Sequence, residues 1–160
     1  MWSFQVRGWH DRAVILPRPV IRIGWALHRT LFQVTGGRVG TERAREGRLG
    51  TLFITTTSRK TGNARRNPLF YLEDGPSLVV AASNAGAARE PGWWRNLQFD
   101  PRGMVDLAGK RFPVRARRAT TDEAERLWPR FIAANPNFVA YREQADRDIA
   151  LVVLEVIEPG

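Results

Sequence analysis

The stretch Thr55-Thr56-Thr57-Ser58-Arg59-Lys60-Thr61-Gly62-Asn63-Ala64-Arg65-Arg66-Asn67-Pro68 gathers four cationic side chains, a run of hydroxyls and a glycine. Leu52-Phe53-Ile54 leads into it and Leu69-Phe70-Tyr71-Leu72 leads out, the pattern of a strand, a turn and a second strand. Backbone N–H groups and Lys/Arg heads held together on such a turn suit an anion, most simply a phosphate. It is not a Walker loop, because Lys60 precedes Gly62 and the early glycine of that pattern is missing. A solvated basic hairpin tip has the same composition, so the turn alone does not choose between the two.

Self-supplied catalysis has little to work with. There is no cysteine, which excludes disulfides, thiolate nucleophiles and cysteine metal sites. His10 and His28 stand away from any acidic cluster, so neither a metal site nor a nucleophile–base pair is expected. The closest carboxylates, Asp122/Glu123/Glu125 and Asp146/Asp148, read as helix caps and solvated faces. The chain is therefore expected to hold a reactive cofactor rather than to supply reactive groups. Two further segments suit such a pocket. Ala81 and Ala82 end a strand where a flat ring can approach the backbone, and Ser83 and Asn84 follow with hydrogen bonds for ring carbonyls. Trp93-Trp94-Arg95-Asn96 offers an aromatic wall on a short helix, although a Trp there suits a plain core equally well.

These groups need a framework to converge. Residues 51–57 and 68–73 predict a first strand pair, and Asp74-Gly75-Pro76 turns the chain into a strand over 77–82. Pro91 opens a short helix to 99. Residues 104–107 and 111–119 read as another hairpin, with Phe112, Val114 and Ala116 alternating against Arg111, Arg115 and Arg117. Thr121-Asp122-Glu123-Ala124 starts a helix to about residue 134. Asn135-Pro136 breaks it; a second short helix over 138–146 and a closing strand over 149–157 follow. The sum is a mainly β, α+β fold on a small antiparallel barrel.

The chain has 160 residues, 43% hydrophobic and 26% charged, the composition of a globular protein with a real core. Its formal charge of +9 is uneven. Residues 1–68 hold thirteen Lys/Arg against three acids, and residues 69–160 hold twelve against thirteen. The partner of the N-terminal part should be anionic: nucleic acid, a lipid surface or a polyanionic small molecule. Residues 1–45 read as a basic arm and an amphipathic helix over 18–33, with residues 46–160 as the barrel domain. Arg18, Arg22 and Arg29 share one stripe of that helix, opposite an apolar face with Trp25. Such a face suits an anionic membrane surface, or it docks on the domain core. No apolar run approaches the ~20 residues of a membrane span, and the N-terminus makes a poor signal peptide, so a cytoplasmic protein is expected.

Taken together, Thr55 to Pro68, Val79-Val80-Ala81-Ala82-Ser83, Pro91-Gly92-Trp93-Trp94-Arg95-Asn96 and Phe112-Pro113-Val114-Arg115-Ala116 carry a family likeness. It continues through Leu127-Trp128-Pro129 and Asp146-Arg147 to Val152-Val153-Leu154-Glu155. The chain resembles the deazaflavin-dependent nitroreductase and quinone reductase family. That resemblance implies a split β-barrel and the cofactor F420, an 8-hydroxy-5-deazaflavin with a phosphate and a glutamate tail. It also implies hydride transfer to quinones, nitroaromatics or related acceptors, and a basic N-terminal helix near a membrane.

By the same resemblance, Arg59, Lys60, Thr61, Arg65 and Asn67, with Arg66 and Pro68 in the same motif, surround the phosphate and nearby ring edge. Ala81, Ala82, Ser83 and Asn84 line the ring, with Gly92, Trp93, Trp94 and Asn96 beside it. Ser83 would bond the ring or a developing oxyanion, and Tyr141 is the candidate proton donor. Some positions depart from the pattern. Ser58 stands where glycine is frequent, Asn84 where some members have lysine, and Phe70, Asn135 and Phe138 where the nitroimidazole-reducing type has tyrosine. The rival readings are FMN as the cofactor on the same fold, a basic barrel binding nucleic acid, and a non-catalytic quinone or cofactor binder.

Overall fold

Alternating apolar residues form six strands in the computed structural model, which describes residues 40–158. The strands are β1 Gly50–Thr57, β2 Ala64–Asp74, β3 Ser77–Ala81, β4 Arg102–Leu107, β5 Lys110–Arg118 and β6 Leu151–Val156. Three helices interrupt them: α1 Gly92–Phe99, α2 Thr121–Ala134 and α3 Asn137–Gln144. Every neighbouring pair is antiparallel, and the order β1-β2-β3-β6-β5-β4 closes into a barrel. The expected mainly β barrel with late helices is what forms. The N-terminal arm and amphipathic helix lie outside the described residues.

Several boundaries shift from the sequence expectation, and two of the shifts have a clear structural reason. β2 begins at Ala64, paired with Thr57, rather than at Pro68. Proline is tolerated inside this strand because β3 pairs with β2 only over Tyr71–Asp74, so Pro68 falls where one edge is open. α3 ends at Gln144, short of residue 146. Asp146 has a left-handed φ of +50°, a conformation that ends a helix and that Asp tolerates better than most residues.

Strand alternation divides the apolar side chains into two cores. Leu52, Ile54, Val80, Val105 and Leu154 fill the barrel together with Trp93, Trp94 and Leu97 of α1. Leu72, Val79 and Val153 face outward and are covered by Leu127, Trp128 and Phe131 of α2 and Phe138 of α3. One barrel end is closed by residues 41–50. Ala44 N–H donates to the Tyr71 hydroxyl at 3.0 Å, and Ala108 N–H donates to Thr41 Oγ1 at 3.0 Å.

α2 is tied to the barrel by charge. Thr120 and Glu123 form a reciprocal capping box at its start. Arg117 on β5 donates to both Glu123 oxygens, at 2.7 and 2.8 Å, and to Glu155 Oε1 at 2.7 Å. The Arg117 guanidinium, and then the Thr120 backbone N–H, hold the Glu123 carboxyl down to about 2, from a usual 4.5. A carboxyl depressed in the folded state contributes stability above its unfolded pKa, and that contribution is lost as pH falls towards the folded value. Urea melts should therefore show the wild type losing stability between pH 4.5 and about 2. Glu123→Gln is expected to flatten that limb.

Candidate functional site

The turn between β1 and β2 spans residues 58–63 and is built from its own backbone. Ser58 N–H donates to Asn63 O and Gly62 N–H to Ser58 O, both at 2.8 Å. Gly62 has φ +73°, a left-handed conformation that glycine adopts without strain. Ser58 Oγ accepts from the N–H groups of Lys60 at 3.4 Å and Thr61 at 3.3 Å, and Thr61 Oγ1 accepts from Asn63 N–H at 3.3 Å. These three bonds are longer than the usual spacing of about 2.9–3.0 Å. The turn's N–H groups are thus oriented but weakly engaged.

One buried amide anchors the turn to α1. Asn96, only 5% exposed, donates through Nδ2 to Thr56 Oγ1 at 3.1 Å. Its Oδ1 accepts from the Arg59 backbone N–H and from Arg59 Nη1, both at 3.2 Å. Asn96→Ala leaves the buried Thr56 hydroxyl and the Arg59 N–H without this partner, and should cost about 2–3 kcal/mol in thermal or chemical melts. Asn96→Asp should cost less, since a carboxylate still accepts from Arg59 and from the Thr56 hydroxyl.

The charge at this turn is unneutralised. Among the described residues Arg59, Lys60 and Arg65 have no acidic partner. Several cations elsewhere are paired: Arg102 with Asp100, Arg117 with Glu123 and Glu155, and Arg126 and Arg130 with Asp74.

β2 sorts its residues by face. Arg65 and Asn67 share the inward face of Leu69 and Tyr71, opposite Thr56 and Ile54 of β1. Arg66 and Pro68 are on the other face. Arg66 pairs with Asp106 of β4 at 2.9 Å and lies 5.0 Å above the Phe53 ring, reaching across β1. The side chain of Arg66 thus lies away from the cluster of Arg59, Lys60 and Arg65, because neighbouring residues of a strand point to opposite sides.

The barrel wall parts beside Arg65 and Asn67. Pairing of β2 with β3 stops at Tyr71↔Val80. Beyond it β2 stays with β1, whereas Ala81 pairs with Leu151 and Ala82 N–H donates to Ala150 O at 2.9 Å. Arg65, Asn67 and Leu69 border one side of the opening, and Ala82 and Ser83 the other. Ala82 is fully buried in the barrel core with Trp93 and Trp94, while Ala81 packs outward against the helices.

The loop leaving β3 has an unusual backbone. Asn84 (φ +47°), Ala85 (φ +51°) and Gly86 (φ +74°) are all left-handed. Asn84 Nδ2 donates to Arg89 O at 3.0 Å. A Cβ at Gly86 would stand 3.1 Å from Tyr141 Cα, so α3 is seated directly against the loop. Tyr141 meets Phe138 edge-on at 5.7 Å, and burial raises its hydroxyl pKa. Trp93 and Trp94 are 5% and 4% exposed, which removes them as a surface platform for stacking nucleic-acid bases. Gly92 is exposed in the first turn of α1.

The fold therefore brings Arg59, Lys60, Thr61, Arg65, Asn67 and Asn96 to one side of the opening, and Ala82, Ser83 and Asn84 to the other, while Tyr141 packs behind that loop against the outer core. Arg66, Pro68 and Ala81 face away from it. Two residues had no role in the sequence reading. Thr56 holds Asn96, and Arg147 donates from Nη2 to Ala82 O at 3.0 Å and from Nε to Ala87 O at 3.1 Å. The available signal for Arg147 was its place just after a helix end, beside an Asp suited to a left-handed turn. Two surface clefts lie elsewhere. One, of about 490 Å³, is bounded by Arg118, Trp128 and Arg142, and one of about 580 Å³ by Ala44, Glu73 and Arg130. Most of their cations are already engaged: Arg118 by Asp148, Arg142 over the Trp128 ring, and Arg130 by Asp74 and the Glu73 carbonyl.

The model of the F420H(2)-dependent quinone reductase family matches residues 25–156. The chain belongs to this family. It is similar to the F420H(2)-dependent quinone reductase Rv1261c of Mycobacterium tuberculosis, with 33% identity over 131 residues, 80% of this chain and 87% of the relative. A solved F420-H2 dependent reductase, FDR-A, superimposes with a TM-score of 0.60 at 29% identity, covering 66% of this chain and 93% of that one. A solved domain-swapped dimer superimposes with a TM-score of 0.64 at 27% identity, covering 86% and 99%. As a member of the F420H(2)-dependent quinone reductase family the protein is an oxidoreductase whose cofactor is F420.

The residues present fit that cofactor. Its phosphate and glutamates match three unneutralised cations. The Trp94 indole N–H is a buried donor without a partner among the described residues, the kind of group that a polar ring edge satisfies.

Proposed function

We propose that the chain passes a hydride from reduced F420 to a quinone, with the cofactor lying across the opening between β2 and the loop after β3. The observation that carries this reading is that Arg59, Lys60 and Arg65 stand together at the β1–β2 end beside that opening, without an acidic partner among the described residues. In this reading the three cations and the Thr61 hydroxyl hold the phosphate by charge-assisted hydrogen bonds. Asn67 bonds the nearby ring edge. The Ala82 backbone lies against the ring face, Ser83 and Asn84 bond its carbonyls, and Gly92, Trp93 and Trp94 wall it from water. When bound in its reduced form, F420 supplies a hydride from C5 to an acceptor stacked over it. Ser83 stabilises oxyanion charge as it develops. Tyr141, whose hydroxyl burial raises further above its ordinary value, is the candidate proton donor, with its backbone seated against the loop after β3.

The acceptor class extends in this proposal to nitroaromatics. Two of the departures from the nitroimidazole-reducing pattern have structural uses. Phe138 packs edge-on against Trp128 and Phe131, and Asn135 Oδ1 accepts from Asn137 N–H at 3.1 Å at the start of α3. No helix among the described residues is long and apolar enough to cross a membrane. A lipid quinone would be met at the anionic inner face of the cell membrane through the basic N-terminal segment of a cytoplasmic protein, with residues 1–45 as the arm and helix and 46–160 as the barrel. The test is to mix purified protein with reduced F420 and menadione and to follow cofactor oxidation by absorbance. Protein-dependent oxidation is expected; none, together with no cofactor binding by fluorescence titration, sinks the reading. Nitrobenzene derivatives as the second acceptor decide the nitroaromatic extension, and flotation with anionic vesicles decides the membrane one.

A further inference from the structure

The loop after β3 cannot hold its shape by backbone preference. Asn84 and Ala85 sit at φ +47° and +51°, followed by Gly86 at +74°. A left-handed conformation costs a non-glycine residue roughly 1–2 kcal/mol, and such strain persists only where the surroundings over-determine it. The surroundings here are few. α3 closes one side, with Tyr141 Cα and O at 3.1 and 3.2 Å from where a Gly86 Cβ would stand. The other side is held by Asn84 Nδ2, which donates to Arg89 O at 3.0 Å, and by one guanidinium that reaches more of the loop. Arg147 Nη2 donates to Ala82 O at 3.0 Å, with longer contacts to Ser83 O at 3.3 Å and Arg89 O at 3.5 Å, and Nε donates to Ala87 O at 3.1 Å. A single side chain thus gathers four carbonyls from both ends of the loop. Arg147 reaches them because Asp146, itself left-handed, turns the chain back after α3. A lysine could not reproduce this: an ammonium is a point charge, whereas the planar fork spreads its N–H groups over several acceptors.

We propose that Arg147 is the positioning residue of the ring-binding loop. It fixes where the Ala82 and Ser83 backbone stands at the opening, and so sets the affinity for the deazaflavin ring rather than for the phosphate tail. The proposal rests on the F420 reading and adds to it a division of labour. The turn at residues 58–63 holds the tail, and Arg147, through the loop, holds the ring.

The experiment separates the two by ligand. Fluorescence titration is carried out with complete F420 and with the bare 8-hydroxy-5-deazaflavin chromophore, which lacks phosphate and glutamates. Arg147→Met should weaken both ligands by a similar factor, roughly tenfold or more, and Arg147→Lys should recover part of the loss. Lys60→Ala should weaken only complete F420. Amide hydrogen exchange on the ligand-free proteins should show residues 84–89 exchanging faster in Arg147→Lys, with the barrel strands unchanged. If Arg147→Met does not fold, Arg147→Lys carries both readouts. A wild type that binds the chromophore, with Arg147→Lys binding it equally and exchanging no faster, overturns this proposal alone. A wild type that binds neither ligand overturns the F420 reading, and this proposal with it.

Discussion

Replacing Lys60 and Arg65 together by alanine should raise the dissociation constant for F420 roughly 100-fold and leave the fold intact. Each side chain offers a charge-assisted contact to phosphate, worth about 1.5–3 kcal/mol when well made, and the exposure of both places the pair at the lower end. Neither has an acidic partner among the described residues, so their removal breaks no ion pair, and thermal melts should superimpose on the wild type. The effect should also fade with salt. Exposed charges are screened over about 10 Å at 0.1 M ionic strength, so wild-type affinity falls as salt rises and the gap to the double variant narrows. Equal affinity at low salt would remove the turn from the cofactor site. A collapse of the melt would instead show that these cations are part of the barrel's own structure.

Gly50→Ala should be the most damaging single substitution to stability among the described glycines. A Cβ on Gly50 would overlap the Ala44 nitrogen and Tyr71 Cε1, and would stand 2.6 Å from Glu42 O. Two of these neighbours are backbone atoms, which cannot rotate aside. The third is a fully buried ring whose hydroxyl accepts from Ala44 N–H, so moving it breaks that bond inside the closed end of the barrel. Overpacking together with the lost bond should cost about 3 kcal/mol or more, a fall of about 10 °C in melting temperature for a domain of this size. Gly109→Ala is the control. Nothing lies within 4 Å of its added Cβ, so the loss there is limited to the strain of φ +77°. Equal melting temperatures for the two variants would refute the packing account of Gly50.

The elements were largely legible because their periods are strong. Phe112, Val114 and Ala116 against Arg111, Arg115 and Arg117 could only be a strand with two unlike faces, and Thr121-Asp122-Glu123-Ala124 marked a helix start whose cap the structure places one residue earlier, at Thr120. Boundaries failed where one signal competed with another. Pro68 looked like a strand start because proline lacks an N–H, yet β2 runs through it along an edge that β3 leaves open.

At the site, residue types were legible and directions were not. Arg65 and Arg66 are equivalent as letters; only the register of β2 on β1 turns Arg65 towards Thr56 and Arg66 towards Asp106. Asn96 read as a ring neighbour, and in the fold it is the strut between Thr56 and Arg59.

By itself the sequence determined the class of chemistry. A chain without cysteine, with its histidines apart and its positive charge gathered early, is expected to bind an anion and to borrow a reactive group. Composition and local periodicity depend only on neighbours along the chain, so they survive without a fold. What the tertiary structure alone decided is the arrangement between residues far apart in sequence: the parting of β2 from β3, the lock of Asn96 on Arg59, and Arg147 holding the Ala82 carbonyl. Those contacts depend on barrel closure and strand register, which no local pattern encodes.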